Sequence, residues 1–225
     1  MAANKINKVN APILSDYTLS NLEAVENKVL GYLKMIRNDF FARYGVDIVS
    51  SFESRIKSND SLIAKLQKDG ISLNEESALD NLNDIVGLRI ICPNLLDVQI
   101  FIDLLKKSTA IKLINEKDYI SHPKDSGYRS YHLIVDIPVD LCDGLKVFRA
   151  EIQVRTVLMH AWSRFEHDVC YKRDTVDQEL QKSLKERSDL LFDFDLNMMS
   201  TLMEEYRNKD TEAADYVRKL TGSKI

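Results

Sequence analysis

Between residues 16 and 44 the apolar positions Leu19, Leu22, Val25, Val29, Leu30, Leu33, Ile36 and Phe40 recur at intervals of three and four. This spacing predicts one long amphipathic helix. After Gly45 the period shortens: Phe52, Ser54 and Ile56 alternate with Glu53, Arg55 and Lys57, as in a short strand. Asp60 then reads as the N-cap of a helix through "SLIAKLQKD", with Gly70 ending it. The β-branched run "DIVGLRIIC" (84–92) has strand length. "NLLDVQIFIDLLKKS" (94–108) returns to helical spacing and keeps its lysines in the last turn, where the helix dipole favours them. "AIKLINEKDYI", "YRSYHLIVDIPV" and "LKVFRAEIQVRT" read as strands, the last two pairing. From 156 to about 221 the pattern is helical, with breaks near 174 and 209. The expected class is α+β with a mixed sheet rather than a doubly wound parallel one. The expected layout is one domain over 1–225: an N-terminal helix (16–44), a core (46–172) and C-terminal helices (174–221).

At 225 residues and 44% hydrophobic, the chain can bury a substantial core. No window resembles a membrane span, and "MAANKINKVN" lacks an apolar signal region, so a cytoplasmic protein is expected. Cys92, Cys142 and Cys170 have no metal-type spacing and read as reduced packing residues. The net charge of −4 argues against a surface that coats nucleic acid, but not against a local basic pocket.

Four segments carry candidate chemistry. In "RIKSNDSLIAK", Arg55 and Lys57 share a strand face and Lys65 returns on the next helix; the group is either a solvated basic face or a polyphosphate site. In "NDIVGLRI", Asp84 stands at a strand edge, as a cap or as a Mg²⁺ ligand. Arg89 lies inside the strand, where an unpaired charge is costly. In "AEIQVRT", Glu151, Gln153 and Arg155 share one face, which is either solvated or the floor of a polar site. Glu151 is the natural partner of Asp84 around a metal, or a base for a hydroxyl nucleophile. In "HPKDSGYRSYH", flanked by Lys117, Tyr128 and His132 share a face opposite Arg129 and Tyr131. An exposed tyrosine beside Lys124 can stack on a base or simply pack on the sheet. His160 and His167 lie two helical turns apart, too far for one metal ion. No Walker loop, GxGxxG or serine elbow occurs.

Taken together, "RIKSNDSLIAK", "DIVGLRII", "KDYISHPKDSGYRSYHLIV" and "EIQVRT…HAW…EH…YK" resemble the RelA/SpoT-type nucleotide pyrophosphokinases, specifically the single-domain small alarmone synthetases. The resemblance spans about residues 50–172. It implies a polymerase-β-like nucleotidyltransferase fold and Mg²⁺-dependent transfer of the β,γ-pyrophosphate of ATP to the 3′-OH of GDP or GTP, giving (p)ppGpp and AMP. It implies that Arg55 and Arg89 sandwich the adenine, that Lys57 and Lys65 hold ATP phosphates, and that Asp84 and Glu151 place Mg²⁺, with Glu151 activating the hydroxyl. On the acceptor side it implies Tyr128 on the guanine, Lys117 and Lys124 on phosphates, and His132, Gln153 and His160 lining the site. The hydrolase half of two-domain stringent-response enzymes is absent from the text, so synthesis without degradation is expected.

Two positions depart from the family pattern. "KDSGY" stands where many relatives have "KPNGY", and His160 stands where several have an asparagine that helps read the guanine. Both lie on the acceptor side, so an acceptor at the tRNA CCA end, or an adenosine alarmone product, stays open. A catalytically inactive nucleotide- or RNA-binding module is the reading from another class; it has no need of Asp84 with Glu151. The C-terminal apolar residues, Leu180 through Met203, either cover the sheet or form an oligomer interface. The family suggests a homotetramer and leaves open an alarmone or RNA regulator.

Overall fold

In a computed structural model that describes residues 11–171 and 177–222, the elements follow the hydrophobic pattern closely. Helix α1 (Asp16–Tyr44) starts at an N-cap, Ser15, whose side chain accepts from the Thr18 amide, and stops at Gly45 in the left-handed region. Strand β1 (Ser51–Ile56) leads to α2 (Asn59–Lys68) and α3 (Glu75–Asn81), then to β2 (Val86–Cys92) and α4 (Leu95–Lys106). Strands β3 (Lys112–Asp118), β4 (Tyr131–Leu141) and β5 (Gly144–Thr156) precede α5 (Val157–Tyr171), α6 (Gln178–Arg207) and α7 (Glu212–Leu220). The sheet order is β1-β2-β5-β4-β3, with only β2 and β5 parallel, so the α+β mixed sheet is as expected and β5 is its centre.

One sheet face is apolar. Phe52, Leu88, Ile90, Leu133, Val135, Ile152 and Val154 join Leu22, Val25, Val29 and Leu33 of α1 and Ile100 and Phe101 of α4 in one continuous core. Fully burying such side chains contributes roughly 1.5–3 kcal/mol each. Because side chains alternate, the residues between them are forced onto the opposite face, and that face carries the polar groups.

Four readings are corrected. The cap of α2 is Ser58, which accepts from the Ser61 amide; Asp60 sits inside the first turn, where its charge suits the helix dipole. Helix α3 escapes periodicity because only Ala78 of its seven residues is buried, and its start is fixed by the Asn74 side chain on the Ser77 amide. Strand β4 begins at Tyr131, three residues late; just before it, Gly127 and Arg129 are tied to α6 through Ser188 and Asp189. Cys142 is exposed in the β4–β5 turn, so it is not a packing residue as buried Cys92 is. The expected break near 209 separates α6 from α7; the break near 174, Lys172 of the matching text, and the first ten residues lie outside the described residues.

Candidate active site

Strand register assembles the site in two ranks across all five strands. One runs Glu53, Arg89, Gln153, His132, Lys117; the next runs Arg55, Gly87, Glu151, Ile134, Asn115. Residues far apart in the chain thus share one floor. Above it opens a cavity of about 500 Å³ lined by Arg55, Lys65, Asp84, Arg89, Lys117, Lys124, Tyr128, His132, Glu151 and Gln153. That volume suits a nucleotide-sized ligand.

At one end, Lys57 and Lys65 converge on Asp84, at 3.0 and 2.9 Å from its two oxygens. Burial raises the Asp84 pKa, but the two lysines more than offset it and hold the carboxyl below its usual range. Asp84 precedes β2, at the strand edge where the sequence put it. Arg89 donates to Glu53 at 2.5 Å and to Gln153 at 3.4 Å, which resolves the charge inside the strand.

At the centre a ring of hydrogen bonds closes. Arg155 donates to the Tyr128 oxygen (2.8 Å), and the Tyr128 hydroxyl lies 3.0 Å from His132 Nε2. His132 Nδ1 lies 3.0 Å from Glu151 Oε1, Gln153 donates to Glu151 Oε2 (2.6 Å), and Arg155 donates to Gln153 (2.5 Å). A carboxylate only accepts, so the Nδ1 hydrogen of His132 points at Glu151; in the neutral imidazole Nε2 is then the acceptor, and the Tyr128 hydroxyl, accepting from Arg155, donates to it. Burial pushes the Glu151 carboxyl up, but His132 and Gln153 more than offset this and keep it below the usual range, despite the neighbouring Asp84 charge.

At the other end, Lys124 opens a turn: the Gly127 amide donates to its carbonyl at 2.7 Å. Asp125 and Ser126 occupy the two central positions, so the departure from the family pattern preserves the turn, and Ser126 lines the cavity. The Lys124 ammonium lies 5.0 and 4.8 Å from the Tyr119 and Tyr128 ring centres. Tyr128 is half-buried rather than exposed. Behind it, Arg129 turns away from the site, donating to Asp189 of α6 and lying 3.9 Å above the Phe192 ring.

The structure therefore brings the sequence candidates together, with two qualifications. His160 approaches Glu53 (3.5 Å) on the β1 side rather than the Lys124–Tyr128 turn. Lys57 touches Asp84 without lining the cavity. Three participants carried no assigned role: Glu53, Tyr119 and Arg155. The signals existed in the alternation that placed Arg155 beside Gln153 and Glu53 beside Arg55. Asp84 and Glu151 line the same cavity and are the two carboxylates that could hold a Mg²⁺ ion together with phosphate and water oxygens; among the described residues there is no group of three or more metal-binding side chains.

A family model described as a region found in RelA / SpoT proteins matches residues 54–176. The chain belongs to the RelA/SpoT family. Within it, the chain is 32% identical to GTP pyrophosphokinase YwaC of Bacillus subtilis, over 81% of this chain and 86% of that one. It is 34% identical to GTP pyrophosphokinase YjbM of the same organism, over 75% and 77%. The crystal structure of small alarmone synthetase 1 from Bacillus subtilis, bound to its product pppGpp, superposes with a TM-score of 0.77 at 29% identity, over 84% of this chain and 96% of that one. The RelA/SpoT match contains both ranks of the site except Glu53.

Proposed function

We propose that this protein is a GTP pyrophosphokinase that transfers the β,γ-pyrophosphate of ATP to the 3′-OH of GDP or GTP, giving (p)ppGpp and AMP. One observation carries the reading: the arginine pair at one end and the Tyr128–Lys124 turn at the other open into the same cavity, with Glu151 between them. Arg55 and Arg89 take the adenine of ATP, and Lys57 and Lys65 its phosphates. Tyr128 stacks on the acceptor base, Lys117 and Lys124 hold acceptor phosphates, and His132 and Gln153 line the floor. His160 acts from the edge of this floor.

Glu151, kept ionised by His132 and Gln153, accepts the proton of the 3′-OH. The ribose oxygen forms its bond to the β-phosphorus as the bridge to the α-phosphorus breaks, and AMP departs with that electron pair. Such a transfer needs positioning and charge neutralisation above all. Mg²⁺, held by Asp84 and Glu151, supplies part of that neutralisation when bound.

The competing acceptor, a tRNA end, is not favoured: both Bacillus subtilis relatives are GTP pyrophosphokinases. An inactive binding module is not favoured either, because Asp84 and Glu151 face one cavity. The test is incubation with ATP, Mg²⁺ and GDP or GTP, resolved by anion exchange. AMP and a 3′-pyrophosphorylated guanosine are expected; absence of both at high enzyme concentration overturns the reading, and label passing from γ-labelled ATP to tRNA but not GDP replaces it.

Assembly belongs to the same proposal. Leu190, Phe194, Leu196 and Met198 of α6 and Phe165 of α5 are exposed, Leu190 at 70%. These apolar side chains support a homotetramer built through the helical extensions. No helix among the described residues is long and apolar enough to cross a membrane, and we place the enzyme in the cytoplasm.

A further inference from the structure

Glu53, Arg55, Gly87 and Arg89 form a square on β1 and β2. Arg55 pairs in register with Gly87, and Glu53 with Arg89, so the two guanidinium groups hold one diagonal and a glycine and a carboxylate the other. A methyl group on Gly87 would already meet the Arg55 side chain at 3.8 Å; the glycine keeps the floor between the arginines open. A small hollow lined by Glu53, Arg55, Gly87 and Arg89 marks this slot.

The slot has a direction. Along β1 the order is Glu53, Arg55, Lys57, and antiparallel β2 runs from Arg89 back through Gly87 toward Asp84. Lys57 and Lys65 stand on Asp84, so the phosphates of a nucleotide in the slot lie at that end. The base edge farthest from its ribose then faces Glu53. In adenine that edge carries the exocyclic N6 amine, a donor; in guanine and hypoxanthine the same position is a carbonyl oxygen.

Glu53 is equipped to read this difference. Arg89 donates to its Oε2 at 2.5 Å and His160 Nε2 stands 3.5 Å from its Oε1, so Arg89 fixes the carboxylate by one oxygen while both oxygens keep an acceptor direction free. Its side chain is 39% exposed and reaches the slot. We infer that Glu53 selects the donor base, accepting a hydrogen bond from the N6 amine of adenine and repelling a 6-oxo purine. The inference rests on the pyrophosphokinase reading above and adds the residue that makes the donor ATP.

The experiment compares ATP with inosine triphosphate as donor, GDP being the acceptor, and reads AMP against IMP. The wild type is expected to prefer ATP by roughly tenfold or more in kcat/KM, since a site built around a substrate hydrogen bond rejects the analogue lacking it. Glu53→Gln, whose amide can turn its NH₂ toward a carbonyl, is expected to shift the ATP-to-inosine-triphosphate ratio by about tenfold or more toward the 6-oxo donor. Equal use of both donors by the wild type overturns the inference without any variant. An unchanged ratio in Glu53→Gln, with both donors losing equally, also overturns it and leaves Glu53 as a brace for Arg89. A wild type that forms no nucleoside monophosphate at all refutes the parent reading instead, and this inference with it.

Discussion

A side chain on Gly127 would collide with Ser188: its Cβ would stand 2.6 Å from the Ser188 Cβ and 3.1 Å from the Lys185 Cα. The Ser188 hydroxyl donates to the Gly127 carbonyl at 2.5 Å, and Gly127 has φ of 85°, which favours glycine. The turn that carries Lys124 and Tyr128 is thus seated on α6. Gly127→Ala is expected to lift the turn, raising the KM for GDP or GTP about tenfold or more with little change for ATP, and to destabilise the fold by about 1–3 kcal/mol. Steady-state kinetics and thermal melts check both; an unaltered acceptor KM would show that the seat is not coupled to the site.

Tyr128 separates stacking from hydrogen bonding. Tyr128→Ala removes the ring and should weaken acceptor use by about 1–3 kcal/mol while ATP binding holds. Tyr128→Phe keeps the ring but removes the oxygen that accepts from Arg155 and meets His132. Its loss should appear in kcat more than in acceptor KM. Equal losses for ATP and acceptor in Tyr128→Ala would refute the stacking role.

Glu151→Gln keeps the shape of the ring while removing the proton acceptor. A fall of about 10²- to 10⁴-fold in kcat is expected, with acceptor KM changed little. Intact turnover in this variant would rule Glu151 out as the base.

The fold was legible wherever burial is one-sided. Helix α1 carries enough apolar residues to show its period, and β5 alternates so strictly that Glu151, Gln153 and Arg155 had to share a face. Helix α3 buries one side chain and leaves no stripe. The site was legible as four segments but not as ranks, because register across strands is a tertiary fact: nothing local pairs Glu53 with Arg89 or Gly87 with Glu151. Arg155 was placed on the correct face and still given no role, since its partners, Tyr128 and Gln153, meet it only in the folded sheet.

Asp97 gives a pH signature outside the active site. It is buried at the start of α4, where the Asn94 side chain accepts from its amide and donates to its carboxylate. Burial, aided by the charge of Asp47 and opposed by Asn94, raises its pKa from 3.8 to about 7. The folded protein therefore keeps a proton that the unfolded chain has released. The group's contribution to stability falls as pH rises between those two values, by about 4 kcal/mol at most. Asp97→Asn should raise the melting temperature at pH 8 and much less at pH 5. A difference between variant and wild type that does not change with pH would refute this assignment.

Arg155 links stability to catalysis with opposite signs. It is 1% exposed, among the largest fully buried side chains, and burial drives its pKa down to about 10. Its Nε has no partner, and among the described residues it forms no ion pair; its holds are the Tyr128 oxygen and Gln153. A buried charge with incomplete compensation costs several kcal/mol, and an apolar side chain of similar volume often replaces it without loss. Arg155→Met is therefore expected to match or exceed the wild-type melting temperature. The same change opens the ring at the point that orients Tyr128, so the acceptor kcat/KM should fall roughly tenfold or more. One terminal nitrogen of Arg155 donates to both partners; Arg155→Lys retains a donor but not the planar guanidinium that fixes these two directions, and should recover only part of that loss. Melting and kinetics on the same preparations decide the matter. A variant that loses stability and activity in step would make Arg155 a structural residue, whereas a stable protein with poor acceptor use shows that the buried guanidinium is kept for the position of Tyr128.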